Sequence, residues 1–112
     1  MKVAVRKGEE NTQLIELEGD LDFHSSPQVR GELSKLVDQQ AGKILVDLKK
    51  VSYIDSSGLA TFVELFQKMK RYGGKLALFN LSEGVRGVFE IAKLDSIFKL
   101  AGSEKEAASL LV

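Results

Sequence analysis

The chain has 112 residues, 44% hydrophobic and 29% charged, which suits one globular domain spanning residues 1–112. Its 16 basic and 16 acidic side chains cancel, so nucleic acid is not an expected direct partner, since phosphate binding needs a basic excess or stripe. The lack of cysteine excludes disulfides, thiolate catalysis and cysteine-based zinc sites, and no apolar run approaches the ~20 residues of a membrane span.

Met1 to Arg6 alternates like a strand and lacks the apolar region of a signal peptide, so the expected location is the cytoplasm. Gly8 to Asn11 reads as a turn, and Gln13 to Glu18 as a second strand that completes a hairpin. Adjacent Leu14 and Ile15 imply burial on both faces. The polar loop Gly19 to Pro27 follows, with Ser26 placed as a helix cap and Pro27 as the first helical residue. Val29, Leu33, Leu36 and Val37 recur at helical spacing, and Gly42 suits the position just past the helix end.

Lys43 to Leu48, with Ile44-Leu45-Val46, reads as a central buried strand. Asp47 within it is expected to bond a loop. Leu59, Phe62, Val63, Phe66 and Met69 form the apolar stripe of the next helix, with Thr61, Glu64, Lys68 and Arg71 opposite and Gly73-Gly74 at its end. The basic group Lys68, Lys70, Arg71 and Lys75 suits that helix's negative C-terminal end.

Lys75 to Phe79 is a further strand, and Ser82 caps a helix with the stripe Val85, Val88, Phe89 and Ala92. Gly84 and Gly87 inside that helix suggest close packing. Ile97 to Leu100 is a short strand, and Ser103 to Glu106 has the spacing of a capping box. The order ββαβαβαβα predicts an α/β fold: a small, mostly parallel sheet with an N-terminal hairpin and about four helices. If the helices cover one face only, the other is partly exposed or covered by loops.

The junction Ile54-Asp55-Ser56-Ser57-Gly58-Leu59 joins a buried strand to an amphipathic helix. Sites in open α/β sheets gather at the carboxyl ends of strands, and a helix N-terminus favours a phosphate. Capping by Asp55, Ser56 or Ser57 is the plain reading. Two successive hydroxyls exceed what one cap needs. Gly58 costs about 1 kcal/mol of helix propensity against Ala, which suits a close approach by another backbone or a partner. The loop Asp20 to Ser25 also lies at a strand end, so Asp22 approaches Ser56 if the two strands are neighbours. As a plain turn or cap residue, Asp22 needs no such role.

Gly19-Asp20-Leu21-Asp22, followed further on by Asp55-Ser56-Ser57-Gly58-Leu59, resembles the STAS domain family of bacterial anti-sigma factor antagonists, over nearly the whole chain. The resemblance implies that Ser56 is phosphorylated and that Asp22 is the loop aspartate near it. It implies partner switching. The unphosphorylated domain binds an anti-sigma factor that is also a serine kinase, and a sigma factor is released. The kinase phosphorylates the serine, the complex separates, and a PP2C-type phosphatase reverses the mark. Asp55, Ser57 and Gly58 would support the phosphosite. Ala60, Thr61 and Glu64 are expected on the outer side of the helix as a docking face. The other role implied is that of a non-phosphorylated STAS subunit of a lipid-transporting ABC system, or a signalling scaffold.

Other signals carry less. Asp20, Asp22 and His24 alternate, but no second cluster completes a metal site. His24 beside Ser25 and Ser26 lacks a nucleophile elbow, and the Gly-Lys pairs lack phosphate-loop spacing. Neither enzyme activity nor a cofactor is expected. Phe23, Tyr53 and Tyr72 are either exposed anchors or core or rim packing.

Overall fold

The computed structural model of the chain describes residues 1–112. β1 (Lys2–Lys7) and β2 (Thr12–Glu18) form the antiparallel hairpin. Its turn is tight because Glu10 and Asn11 both adopt the left-handed conformation, and the Asn11 carbonyl accepts the Gly42 amide at 3.0 Å. There follow α1 (Ser26–Asp38), β3 (Lys43–Lys50), α2 (Ser56–Lys70), β4 (Lys75–Phe79), α3 (Glu83–Ile91), β5 (Lys99–Ala101) and α4 (Glu104–Leu110). The sheet order is β1-β2-β3-β4-β5, parallel from β2 onward. The expected α/β class and element order are those observed.

Strand alternation divides the core. Ile15 and Leu17, Ile44 and Val46, and Leu76 and Leu78 face one side, where they pack with Val29 and Leu33 of α1, Phe62 and Leu65 of α2, and Val85 and Phe89 of α3. Leu14, Leu45, Ala77 and Phe79 face the other side and meet Ala107 and Leu111 at α4. The second face is therefore covered by the last helix and not by loops. Ser103 caps that helix by accepting the Glu106 amide, and Glu106 reaches back to the Gly102 amide.

Some boundaries and glycine roles differ from the sequence reading. α1 starts at Ser26 with Ser25 as its flanking residue, because the Ser26 hydroxyl is turned to the Asp22 carbonyl instead of capping. Gln40, not Gly42, takes the left-handed position after α1, where the Asn11 side chain holds its carbonyl at 2.9 Å. The last strand lies at Lys99–Ala101, slightly later than expected. Gly84 and Gly87 do not pack closely: a Cβ at either would meet nothing within 4 Å. Asp47 does bond a loop, accepting from the Lys49 amide and the Asn80 side chain.

Because β2 and β3 are adjacent and parallel, the loops leaving their carboxyl ends lie side by side. Leu21 and Ile54 form a parallel bridge beyond the strands proper. The Leu21 amide donates to the Tyr53 carbonyl at 2.9 Å, and the Leu21 carbonyl accepts the Asp55 amide at 3.2 Å.

Candidate functional site

Asp55 is the N-cap of α2. Its backbone is extended, and its Oδ1 accepts the amides of Ser57 at 2.9 Å and Gly58 at 3.1 Å. Its Oδ2 accepts the Phe23 amide, on the neighbouring loop, at 3.2 Å. One carboxylate thus satisfies two of the amides a helix start leaves unpaired and pins the first loop to the second. The Asp55 carbonyl takes the Leu59 amide in the usual way.

With Asp55 as the cap, Ser56 is free of that duty. It is the first residue of α2 and is exposed. Ser57 is half-buried, and its carbonyl accepts the Thr61 hydroxyl at 3.0 Å.

Gly58 is buried. A Cβ there would lie 2.7 Å from both the Leu21 carbonyl oxygen and the Ile54 side chain. The close approach that the sequence suggested is made by the chain's own loop, so Gly58 acts by letting the two loops meet.

Asp22 locks its own loop. Its Oδ1 accepts the amides of His24 at 2.9 Å and Ser25 at 3.0 Å, while its amide donates to the Ser25 hydroxyl. The Ser25 amide, above all, holds the Asp22 carboxyl below its ordinary value of 3.8. The Asp20 carboxylate turns away to accept the Ser52 hydroxyl at 3.3 Å. Strand adjacency brings the Asp22 loop beside the start of α2, as expected, yet the hydrogen bonds that cross between the loops come from Asp55, Leu21 and the Asp20–Ser52 pair, and none from the Asp22 side chain.

The helix face needs one correction. Ala60 is exposed, as expected, but Thr61 is only 2% exposed and lies among Leu33, Val37, Glu64 and Leu65 where α1 meets α2. Its hydroxyl bonds back to the Ser57 carbonyl, which satisfies the polar group and lets it be buried. Glu64 is half-exposed and pairs with Arg30 of α1 at 2.9 Å and Lys68 at 3.1 Å. Lys68, more than Arg30, holds its carboxyl below the usual range.

The sequence alone leaves Phe23 open between an anchor and packing. It is 72% exposed, with its ring edge-to-face against His24 at 5.8 Å between centroids. Tyr53 is also exposed, whereas Tyr72 packs at the rim with its hydroxyl on the Ala41 carbonyl.

Residues 4–107 match the STAS domain family. The chain belongs to the STAS family. Among its STAS relatives, the anti-sigma-B factor antagonist of Bacillus subtilis (strain 168) is 36% identical over 105 residues, covering 94% of each chain. The solved anti-sigma factor antagonist SpoIIAA, in its unphosphorylated form, superposes with a TM-score of 0.84 at 27% identity, covering 98% of this chain and 96% of that one. The phosphorylated form of the Bacillus cell fate determinant SpoIIAA superposes with a TM-score of 0.77 at 26% identity, covering 99% of this chain and 100% of that one. The Bacillus subtilis relative and the unphosphorylated SpoIIAA structure are both named as anti-sigma factor antagonists. No helix of this STAS chain is long and apolar enough to cross a membrane.

Proposed function

We propose that this chain is a phosphorylation-gated antagonist of an anti-sigma factor, acting in the cytoplasm by binding and not by catalysis. In its unphosphorylated form it binds an anti-sigma factor that is also a serine kinase, and a sigma factor is freed. That kinase phosphorylates Ser56, and a PP2C-type phosphatase restores the hydroxyl. The observation that carries the reading is the division of labour at the start of α2. Asp55 does the capping, and Ser56 beside it is left exposed. The names of the relatives and the two solved forms of SpoIIAA support the same reading.

The electrostatics favour a switch at the surface. A phosphoserine adds about −1.5 to −2 charges near neutral pH. Asp55 already occupies the positive end of α2, with both carboxylate oxygens engaged by amides. The helix start has little left to absorb a further dianion, so the new charge faces outward. A partner docked over Ser56 and Ala60 would have to strip water from it beside Asp55 and Asp22. Asp22 and Gly58 support the site by holding the loop and letting it approach, and Glu64 ties α2 to α1 below it.

Incubation with the anti-sigma kinase of the same organism and ATP tests the modification. One phosphate, mapped to Ser56 by peptide mass spectrometry and absent in Ser56→Ala, is the expected result. Exclusive labelling of Ser57, or labelling that survives Ser56→Ala, would contradict it.

A further inference from the structure

We infer that Phe23 is the apolar anchor of the partner interface, its ring entering a pocket on the anti-sigma factor whose rim is basic. The inference rests on the proposed antagonist function and names the contact that gives it affinity.

Phe23 is an aromatic side chain left in water by its own chain, at 72% exposure. Fully burying such a ring is worth about 1.5–3 kcal/mol, a gain that the isolated fold leaves unrealised and that a partner can collect. Nor is it on a slack loop. Its amide is held by Asp55, the next two amides by Asp22, and the Ser25 hydroxyl by the Asp20 carbonyl at 2.7 Å. Leu21, two residues before it, bridges to Ile54 and abuts Gly58. The loop is therefore ordered before any partner arrives, which lowers the entropy lost on docking. Aromatic side chains, phenylalanine among them, are enriched at the cores of protein interfaces.

The surroundings specify the partner's chemistry. The two loops, residues 19–25 and 51–58, contain Asp20, Asp22 and Asp55 against one histidine, His24, and no lysine or arginine. These carboxylates bond to amides and hydroxyls, and the ion pairs of the chain lie elsewhere. A pocket for Phe23 must approach this acidic ground, which no lysine or arginine of either loop neutralises, so a basic rim is the complementary surface. The ring is also continuous with the switch, because the residue that holds the Phe23 amide caps the helix that Ser56 begins. A dianion at Ser56 still has to shed its water against the docked face, so a basic rim over Asp20 and Asp22 does not abolish the gate.

The test is titration calorimetry of the unphosphorylated chain against the purified anti-sigma factor of the same organism, with wild type and Phe23→Ala in parallel. Circular dichroism confirms that the variant is folded, as expected for so exposed a residue. The expected result is an affinity loss of roughly 30-fold for Phe23→Ala, with an unchanged melting temperature. Wild-type affinity should also fall as ionic strength rises. Equal affinity of the two chains overturns the anchor and leaves the antagonist function standing. Salt-independent binding overturns the basic rim. A wild-type dimer that Phe23→Ala converts to a monomer assigns the ring to self-association and overturns the inference. Failure of the wild type itself to bind overturns the proposed function, and the anchor with it.

Discussion

The carbonyl oxygen of Leu21 lies 2.7 Å from where a Cβ on residue 58 would be, so the loop after β2 rests directly on the bare backbone of Gly58. The same carbonyl accepts the Asp55 amide at 3.2 Å. Contact and hydrogen bond together fix the loop that carries Asp22 and Phe23 against the helix that carries Ser56. Real Cβ atoms essentially never come so close to backbone, and here neither neighbour is the free end of a flexible side chain.

Gly58→Ala should therefore destabilise the chain although alanine is the better helix former by about 1 kcal/mol. Overpacking a close contact costs typically 1–3 kcal/mol, which outweighs the gain. Urea denaturation should show a lower midpoint. An unchanged or higher midpoint would mean that the loop yields freely and that the glycine serves something other than this contact.

The fold was largely legible because the alternation of short branched runs with amphipathic stretches leaves one sensible order of strands and helices. Asp55-Ser56-Ser57-Gly58 was legible as a junction, and the need for a close approach at Gly58 was legible from its helix cost. The identity of the approaching group was not, because the Leu21–Gly58 contact is set by the adjacency of β2 and β3. Thr61 departs from its expected outer position for a different reason. Residue polarity signals exposure only if the polar atom needs water, and the Thr61 hydroxyl is satisfied by the Ser57 carbonyl. Leu65, buried beside it, fell outside the stripe because α2 is covered on its α1 flank as well as by the sheet. The exposure of Phe23 has no periodic signal at all, since it lies in a loop.

Ala60 and Thr61 separate docking from folding. Ala60→Arg places a bulky cation on the exposed face one turn from Ser56 and should leave the melting temperature nearly unchanged while weakening anti-sigma factor binding. Thr61→Arg forces a charge into the contact between α1 and α2 and should cost roughly 3 kcal/mol or more. Circular dichroism melts paired with calorimetry read both. Normal affinity in a folded Ala60→Arg chain would move the docking face elsewhere.

Asp22 gives a pH signature. The Ser25 amide, followed by the His24 amide and the Ser25 hydroxyl, lowers its folded pKa below the ordinary 3.8. A depressed carboxylate contributes stability that is present above the unfolded value and is lost as pH falls through the folded value. In Asp22→Asn the fall in stability below about pH 4 should be shallower than in wild type. Denaturation midpoints measured across that range check it. Parallel curves would show that Asp22 contributes no linked proton to folding. If Asp22 also serves the phosphosite, the variant should alter the rate of Ser56 phosphorylation at neutral pH.

The most direct test compares two otherwise identical chains, one with serine and one with phosphoserine at position 56, in their affinity for the anti-sigma factor. Phosphoserine introduced during synthesis avoids the partial charge of an aspartate mimic. The account predicts tight binding of the unmodified chain and a loss of roughly 100-fold or more on phosphorylation, because about two added charges must be desolvated beside Asp55. Circular dichroism should show the same fold for both. Equal affinity of the two forms would contradict the account.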